Sequence, residues 1–273
     1  MQFKICKIEK DSRPTAQISY CGKNVMFTVF NPYTVMTTST EYLPGIVIQQ
    51  IQPPLYLKDF ALIAFDMDST LIDMETVDEI AAAVGKKAEV SAITEAAMRG
   101  EISDYKESLR RRVALLKGVP FSALEKVRDQ RMRLNPGAEQ LIRTAQAAGL
   151  KTMLVSGGFT VYTDELQRCL GLDYTRSNVL EIADGKLTGR LLDQPWGDIC
   201  DGEEKKRMLL TTCASLNIDP KKTIAMGDGA NDLPMMSVAG LSVAYHAKPV
   251  VRSQAKIAIN EGGLNRLLEI VLP

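Results

Sequence analysis

Short apolar runs set the strongest constraint on this chain. ALIAF (Ala61–Phe65), KTMLV (Lys151–Val155), TIAM (Thr223–Met226), LSVAY (Leu241–Tyr245) and KIAI (Lys256–Ile259) each have strand length. None alternates cleanly between polar and apolar residues, which is the pattern of a strand covered on both faces. Helical patterns lie between them. This order predicts an α/β fold: a Rossmann-like, mostly parallel sheet with helices on both faces. Three of the runs end in polar clusters. Phe65 leads into DMDST, Val155 into SGG and Met226 into GDGAND. Ligands of open α/β sheets bind at the carboxyl ends of strands, so the three clusters are expected to converge.

The scheme is interrupted over residues 74–133, which read as helical and contain no strand-like run. Val77, Ile80, Ala81 and Val84 form one stripe, and Gly85 is a natural helix stop. Ser103 is a plausible N-cap for a helix that places Leu109, Val113 and Leu116 together. A helical cap inserted after the first core strand is therefore expected. Residues 1–56 form a small N-terminal region with strands, rich in β-branched and aromatic residues, and QPPLYLKD links it onward. Its role is not written in the sequence. NVLEIADGKLTGRL reads as a β-hairpin turning near Asp184-Gly185. The expected division is 1–56, a core of 57–73 and 134–273, and a cap of 74–133.

Composition excludes several functions. The 273 residues carry 33 basic and 33 acidic side chains. This balance gives no support for nucleic acid or an anionic membrane as the main partner. No apolar run approaches the roughly 18 residues of a membrane span. The first fifteen residues have no apolar h-region, so a cytoplasmic location is expected. The five cysteines (Cys6, Cys21, Cys169, Cys200 and Cys213) lack a C-x-x-C spacing and read as free thiols. The single histidine, His246, rules out a multi-histidine metal site within one chain. Acid–base work then falls to carboxylates or lysine.

The polar clusters suit that chemistry. Asp66 and Asp68, one residue apart at a strand end, allow one carboxylate to act as ligand and nucleophile while the other handles protons. Ser69 and Thr70 can fix the loop. Taken alone, an Asp- and Ser-rich turn is equally consistent with this stretch. Ser156, with Gly157 and Gly158 behind it, offers a hydroxyl and backbone N–H groups to an anion. Asp228 and Asp232, bracketing Gly229 and Asn231, suit Mg²⁺, a hard cation that prefers oxygen. With Lys205 at zero on a helical wheel, Leu209 falls at about 40°, Cys213 at about 80° and Leu216 at about 20°. Lys205 thus shares an apolar face and needs an anionic partner. Arg112 lies nearest the packed side of its helix, whereas Arg110 and Arg111 read as a solvated face. Glu75, seven residues after Asp68, opens the cap opposite its apolar stripe.

FDMDST, SGG, Lys205 and GDGAND, in that order, resemble the haloacid dehalogenase superfamily of phosphatases. FDMDSTLIDMETVDEIA, ITEAAMRGE, SLRRRVALLKG and VSGGFT resemble more specifically its phosphoserine phosphatase family. The resemblance runs from about residue 60 to the C-terminus and implies Mg²⁺-dependent hydrolysis of O-phospho-L-serine, the last step of L-serine biosynthesis. It implies Asp66 as the nucleophile that forms an aspartyl-phosphate and Asp68 as general acid and base. It implies metal binding by Asp66, the backbone carbonyl of Asp68 and Asp228. Ser156, Gly157 and Lys205 would hold the phosphate with Asn231 close by. Glu75 would meet the serine ammonium and Arg112 its carboxylate, with Thr70, Gly158 and Asp232 in support. The implied partner is this small molecule, and a homo-oligomer is compatible with it. A phosphotransferase that passes the group to an alcohol such as homoserine, and a non-catalytic phospho-ligand sensor, are the alternatives. The interval from Gly100 to Ser108 is slightly longer than the family's usual pattern. The N-terminal region is shorter than the regulatory-type domain of many bacterial members.

Overall fold

The computed structural model describes residues 17–21, 24–28, 39–98 and 104–273. Cys6, Ser103 and the start of the Gly100–Ser108 interval lie outside them. The chain divides into Met1–Thr38 and Ser39–Pro273. In the first unit, β1 (Gln17–Cys21) and β2 (Asn24–Thr28) pair antiparallel.

The second unit is built on a nine-stranded sheet. Its elements begin with β3 (Thr40–Leu43), β4 (Ile46–Ile48), β5 (Leu55–Tyr56) and β6 (Leu62–Phe65). Helices α1 (Thr76–Ala83), α2 (Lys87–Met98), α3 (Tyr105–Leu115), α4 (Phe121–Gln130) and α5 (Ala138–Ala147) follow. Then come β7 (Lys151–Phe159), α6 (Thr160–Leu170), β8 (Tyr174–Ala183), β9 (Lys186–Leu192), α7 (Gly202–Ser215) and β10 (Thr223–Gly227). The chain ends with α8 (Leu233–Val238), β11 (Leu241–Tyr245), α9 (Pro249–Arg252), β12 (Ile257–Ile259) and β13 (Val271–Leu272). The sheet order is β3-β4-β12-β11-β10-β6-β7-β8-β9. Neighbours are parallel from β12 to β8, and antiparallel pairs close both edges. The five apolar runs of the sequence are five adjacent strands of this sheet. Residues 39–56, grouped by sequence with the N-terminal region, contribute β3 and β4 to its edge and β5 to a small parallel pair with β13.

β6 shows why these runs lack alternation. Leu62 and Ala64 face one core, with Met208 and Leu209 of α7 and Met235 and Met236 of α8. Ile63 and Phe65 face the other, with Leu141 and Ile142 of α5 and Leu166 of α6. All four strand residues are fully buried. Leu62, Ile63 and Phe65 each contribute about 1.5–3 kcal/mol of hydrophobic stabilisation, so the central strand cannot slip without exposing one face.

The helices α1–α4 form the cap between β6 and β7. Val77, Ile80 and Ala81 are buried, as are Leu109, Val113 and Leu116, and Val84 is half-buried. The described N-cap of α3 is Asp104, whose side chain accepts from Lys106 N at 2.9 Å. The β8–β9 hairpin turns at Asp184-Gly185, both with positive φ, as a two-residue hairpin turn requires. It also braces the cap. Gly118 N donates to Leu187 O and Leu187 N to Val119 O, both at 2.8 Å.

The turn over residues 67–71 carries the DMDST cluster. Ser69 adopts φ +57°, a left-handed conformation uncommon outside glycine, Asn and Asp. Asn135, at the far end of the cap insertion, holds this turn in place. Its Nδ2 donates to Thr70 O at 2.8 Å and Ile72 O at 3.0 Å. Asn135→Ala leaves these acceptors without that donor and should cost about 1–3 kcal/mol. Urea unfolding with an unchanged m-value reads the loss; an unaltered midpoint would show that the turn holds without Asn135.

Candidate active site

Strand register brings the three polar clusters together. Phe65 pairs with Leu154 of β7 on one side and Met226 of β10 on the other. Asp66 N donates to Met226 O at 3.0 Å, continuing the ladder one residue past the strand. Asp66, the Ser156 segment and the Asp228 loop therefore emerge side by side at one end of the sheet.

Lys205 lies beneath them in α7. It is fully buried, as its place on the apolar face requires. Its Nζ donates to Asp66 Oδ1 at 2.6 Å and Asp232 Oδ1 at 2.7 Å. Asp232 Oδ2 accepts from Asp228 N at 3.2 Å and Gly229 N at 3.0 Å. Both oxygens of Asp232 are thus committed to the protein. Asp66 keeps its second oxygen open, and Asp228 holds only a 3.3 Å bond from Thr70 Oγ1.

Oxygens of Asp66, Asp228 and Asp232 all lie within 4.8 Å of one another. Set against the single ammonium of Lys205, these three carboxylates leave two negative charges uncompensated. Burial, then the charge of Asp232, push the Asp66 pKa well above the ordinary carboxylate range, and Lys205 only partly offsets them. Burial and Asp232 raise Asp228 to about 6. An all-oxygen cluster with an excess of two charges fits a hard divalent cation.

Asp68 occupies a different environment. Its Oδ2 accepts from Thr76 Oγ1 at 2.9 Å, while its buried Oδ1 has no protein partner among the described residues. Burial, then the charge of Glu75, raise its pKa to about 8. Glu75 itself is exposed, and Ser69 Oγ donates to its Oε1 at 2.7 Å.

The SGG segment is the irregular end of β7 itself, where pairing with β8 shifts register between Val155 and Phe159, and not a turn after the strand as the sequence pattern predicts. Ser156 is buried, and its Oγ accepts from Gly158 N at 2.8 Å. Asn178 Nδ2 donates to Gly157 O at 2.8 Å, and Asn178 Oδ1 accepts from Cys200 N at 2.8 Å. Asn178 thereby ties this end of β7 to the segment entering α7. A side chain at Gly157 would overlap the hydroxyl of Tyr105 from the cap. Asn231 is half-buried in the Asp228 loop, its side chain lying against Gly229. Arg112 is half-buried with Nε donating to Ser108 O at 3.4 Å, and no carboxylate pairs with it among the described residues. Its charge lowers the Tyr105 pKa against the larger effect of burial.

Other side chains follow the sequence reading, with ion pairs added on the solvated face of α3. Arg110 and Arg111 are exposed but paired: Arg111 Nε meets Glu107 at 2.7 Å, and Arg110 meets Asp198. His246 stacks on Tyr245 and contacts Gly262 O, away from the carboxylates. Cys169, Cys200 and Cys213 are free. Thr76, Asn135, Asn178 and Tyr105 were not singled out by the sequence. Each acts across a long separation or on a neighbour in space, so no local pattern marks it. Among the described residues, no helix is long and apolar enough to cross a membrane.

A mostly parallel sheet with a helical cap, and a strand-end carboxylate backed by a buried lysine and an acidic loop, define a hydrolase of the haloacid dehalogenase type. The chain belongs to the haloacid dehalogenase-like hydrolase family, whose model matches residues 63–237. A phosphoserine phosphatase of Polaromonas sp. strain JS666 is 69% identical over 85% of this chain and 98% of its own length. Among solved structures, a phospho-aspartyl intermediate analogue of phosphoserine phosphatase aligns with a TM-score of 0.71 and 39% identity, covering 78% of this chain and 99% of that one. A substrate-bound phosphoserine phosphatase complex aligns with a TM-score of 0.71 and 38% identity, covering 78% and 98%.

The charge imbalance has a measurable consequence in cation-free protein. Asp228 and Asp68 have native pKa values of about 6 and about 8, above the ordinary 3.8. Between the ordinary and raised values the native state binds more protons than the unfolded state, so stability falls as pH rises. In chelator, the thermal midpoint should drop from pH 5 to pH 8 through these groups, and excess Mg²⁺ should restore more at pH 8. Asp228→Asn should flatten part of the slope. A wild-type profile that rises over this range, with no Mg²⁺ effect, would contradict the assignment.

Proposed function

We propose that this chain is a phosphoserine phosphatase, hydrolysing O-phospho-L-serine to L-serine and phosphate as the last step of L-serine biosynthesis in the cytoplasm. The observation that carries this reading is the pairing of Asp66 with Lys205 at the mouth of the SGG segment, with one Asp66 oxygen left open. A carboxylate oriented by a buried ammonium and facing an anion-binding segment is built to attack phosphorus.

Asp66 attacks the phosphorus, and the bond from phosphorus to the serine oxygen breaks. Asp68, protonated by virtue of its raised pKa, passes its proton to the departing oxygen. Water then attacks the phosphorus of the aspartyl-phosphate, gives its proton to Asp68 and releases Asp66. The orphaned Oδ1 of Asp68 is the atom available for both transfers. Ser156, Gly157 and Lys205 hold the phosphoryl oxygens, with Asn231 nearby. Gly158, Thr70 and Asp232 support the SGG segment, Asp228 and Lys205, respectively. Glu75 receives the serine ammonium and Arg112 its carboxylate, an opposite charge for each end of the amino acid. Asp66, Asp228 and the backbone carbonyl of Asp68 would hold Mg²⁺, which supplies neutralisation of the phosphoryl charge.

Phosphate release from phosphoserine with Mg²⁺ tests the reading. Asp66→Asn should lower the rate by ~10³-fold or more, as loss of a nucleophile does; equal rates in both proteins would refute the nucleophile. Product analysis with added homoserine separates hydrolysis from transfer, and preferential formation of phosphohomoserine would make hydrolysis the wrong primary activity. Glu75→Gln should cost about 10- to 100-fold in kcat/KM for phosphoserine, the value of a hydrogen bond to a charged group. An ester lacking an amine should be affected much less. Equal losses on both substrates would remove Glu75 from ammonium recognition.

A further inference from the structure

Tyr105, the first residue of α3, reaches from the cap to the SGG segment. Its ring is half-buried, and its hydroxyl lies where a side chain at Gly157 would sit. The hydroxyl makes no hydrogen bond among the described residues. Lys205, Arg112 and Asp66 all lie close enough to act on it electrostatically. A neutral donor therefore stands open at the point where the anion-binding segment, the buried lysine and the nucleophile meet. Burial raises its pKa, so it stays protonated and donates.

Its position is fixed by charge. Lys106, the next residue, places Nζ 2.8 Å from Asp198 Oδ1 and 3.6 Å from Asp201 Oδ2. Arg110 takes the other oxygen of Asp198. The four-residue spacing puts both cations on one face of α3. Asp198 Oδ1 also accepts from Ile199 N at 2.8 Å, which orients the carboxylate. Asp198 and Asp201 lie on the segment that runs into α7 and Lys205. The helix carrying Tyr105 is thus clamped to the segment carrying the phosphate-site lysine.

We propose that Tyr105 is a substrate-contacting residue whose hydroxyl donates to a non-bridging oxygen of the phosphoryl group, and that Asp198 is the positioning residue that holds it there through Lys106 and Arg110. This rests on the phosphoryl-transfer reading above. The contact requires the cap to be seated, so it couples closure to phosphate binding. The ion pairs are partly exposed, so salt weakens them.

The test measures binding of inorganic phosphate and orthovanadate to the Mg²⁺-loaded protein by calorimetry, with kcat and KM for phosphoserine beside it. Tyr105→Phe removes only the hydroxyl. It should weaken both anions about 10- to 100-fold, as expected for a hydrogen bond to a charged group. Asp198→Asn keeps the hydroxyl but frees the helix. It should raise KM more than it lowers kcat and make KM less sensitive to salt than in wild type. In the double variant the Asp198→Asn effect on anion affinity should largely vanish, because its target is gone. Unchanged anion affinity in Tyr105→Phe would overturn the contact, and additive effects would overturn the role of Asp198. If wild type hydrolyses phosphoserine while Tyr105→Phe binds anions normally, this inference fails and the proposed function stands. If wild type does not hydrolyse phosphoserine yet the anion loss occurs, the reverse holds.

Discussion

The structure turns on one buried ammonium. Lys205 has no access to solvent and meets Asp66 and Asp232 at hydrogen-bond distance. An isolated charge in such a place is costly, so α7 can seat its apolar face only if two carboxylates come to meet it. That requirement fixes much else. Asp66 is held with one oxygen inward and one outward. Asp232 spends one oxygen on the lysine and the other on the amides of residues 228 and 229. The Asp228 loop is thereby folded back, its own carboxylate taking a 3.3 Å bond from Thr70 Oγ1. The site is overcharged by design of its neighbours, since two acids would satisfy the lysine and a third lies within reach.

The parallel sheet explains how residues so far apart in the chain share this lysine. β6, β7 and β10 run parallel, so their ends emerge at the same edge. Asp66 and Asp228 follow such ends, and Ser156 lies in the irregular end of β7. The cap occupies the crossover from β6 to β7, which places it directly above that edge. Its footing is partly the β8–β9 hairpin, through the backbone bonds between residues 118–119 and 187, and partly the ion pairs of α3 with Asp198.

What the sequence discloses follows from how far each interaction reaches. The central strands are legible because burial on both faces removes alternation, a local property. Lys205 is legible because a lysine on an apolar stripe is a local contradiction that only a buried partner resolves. Asp66, Ser156 and Asp228 are legible because they interrupt apolar runs at strand ends. Asn135 and Asn178 are not, because each is an ordinary loop or strand residue whose acceptors lie 63 to 65 and 21 residues away. Arg110 reads as a solvated cation because its partner, Asp198, is 88 residues away. β3 and β4 read as part of the N-terminal region because edge strands of a few residues carry little pattern, and β3 is largely exposed.

The pair that opens the site shows how environment divides identical side chains. Asp66 and Asp68 both carry raised pKa values, for different reasons. Asp66 is raised by burial and by Asp232 and Asp228, charges that a divalent cation in the acidic cluster would offset. Asp68 is raised by burial and by Glu75, on the cap side. On the reading proposed above, Asp66 is the member suited to ionise and attack, and Asp68 the member suited to keep a proton. On the proposed assignment Glu75 adds a link between recognition and chemistry. Its charge helps to keep Asp68 protonated before substrate arrives, and a substrate ammonium would cancel part of that repulsion. Asp68 would then become more acidic when the correct amine is seated, favouring proton delivery to the departing oxygen. An ester without the amine leaves Glu75 uncompensated and Asp68 a weaker acid, so ammonium recognition would act on the rate of bond cleavage as well as on affinity.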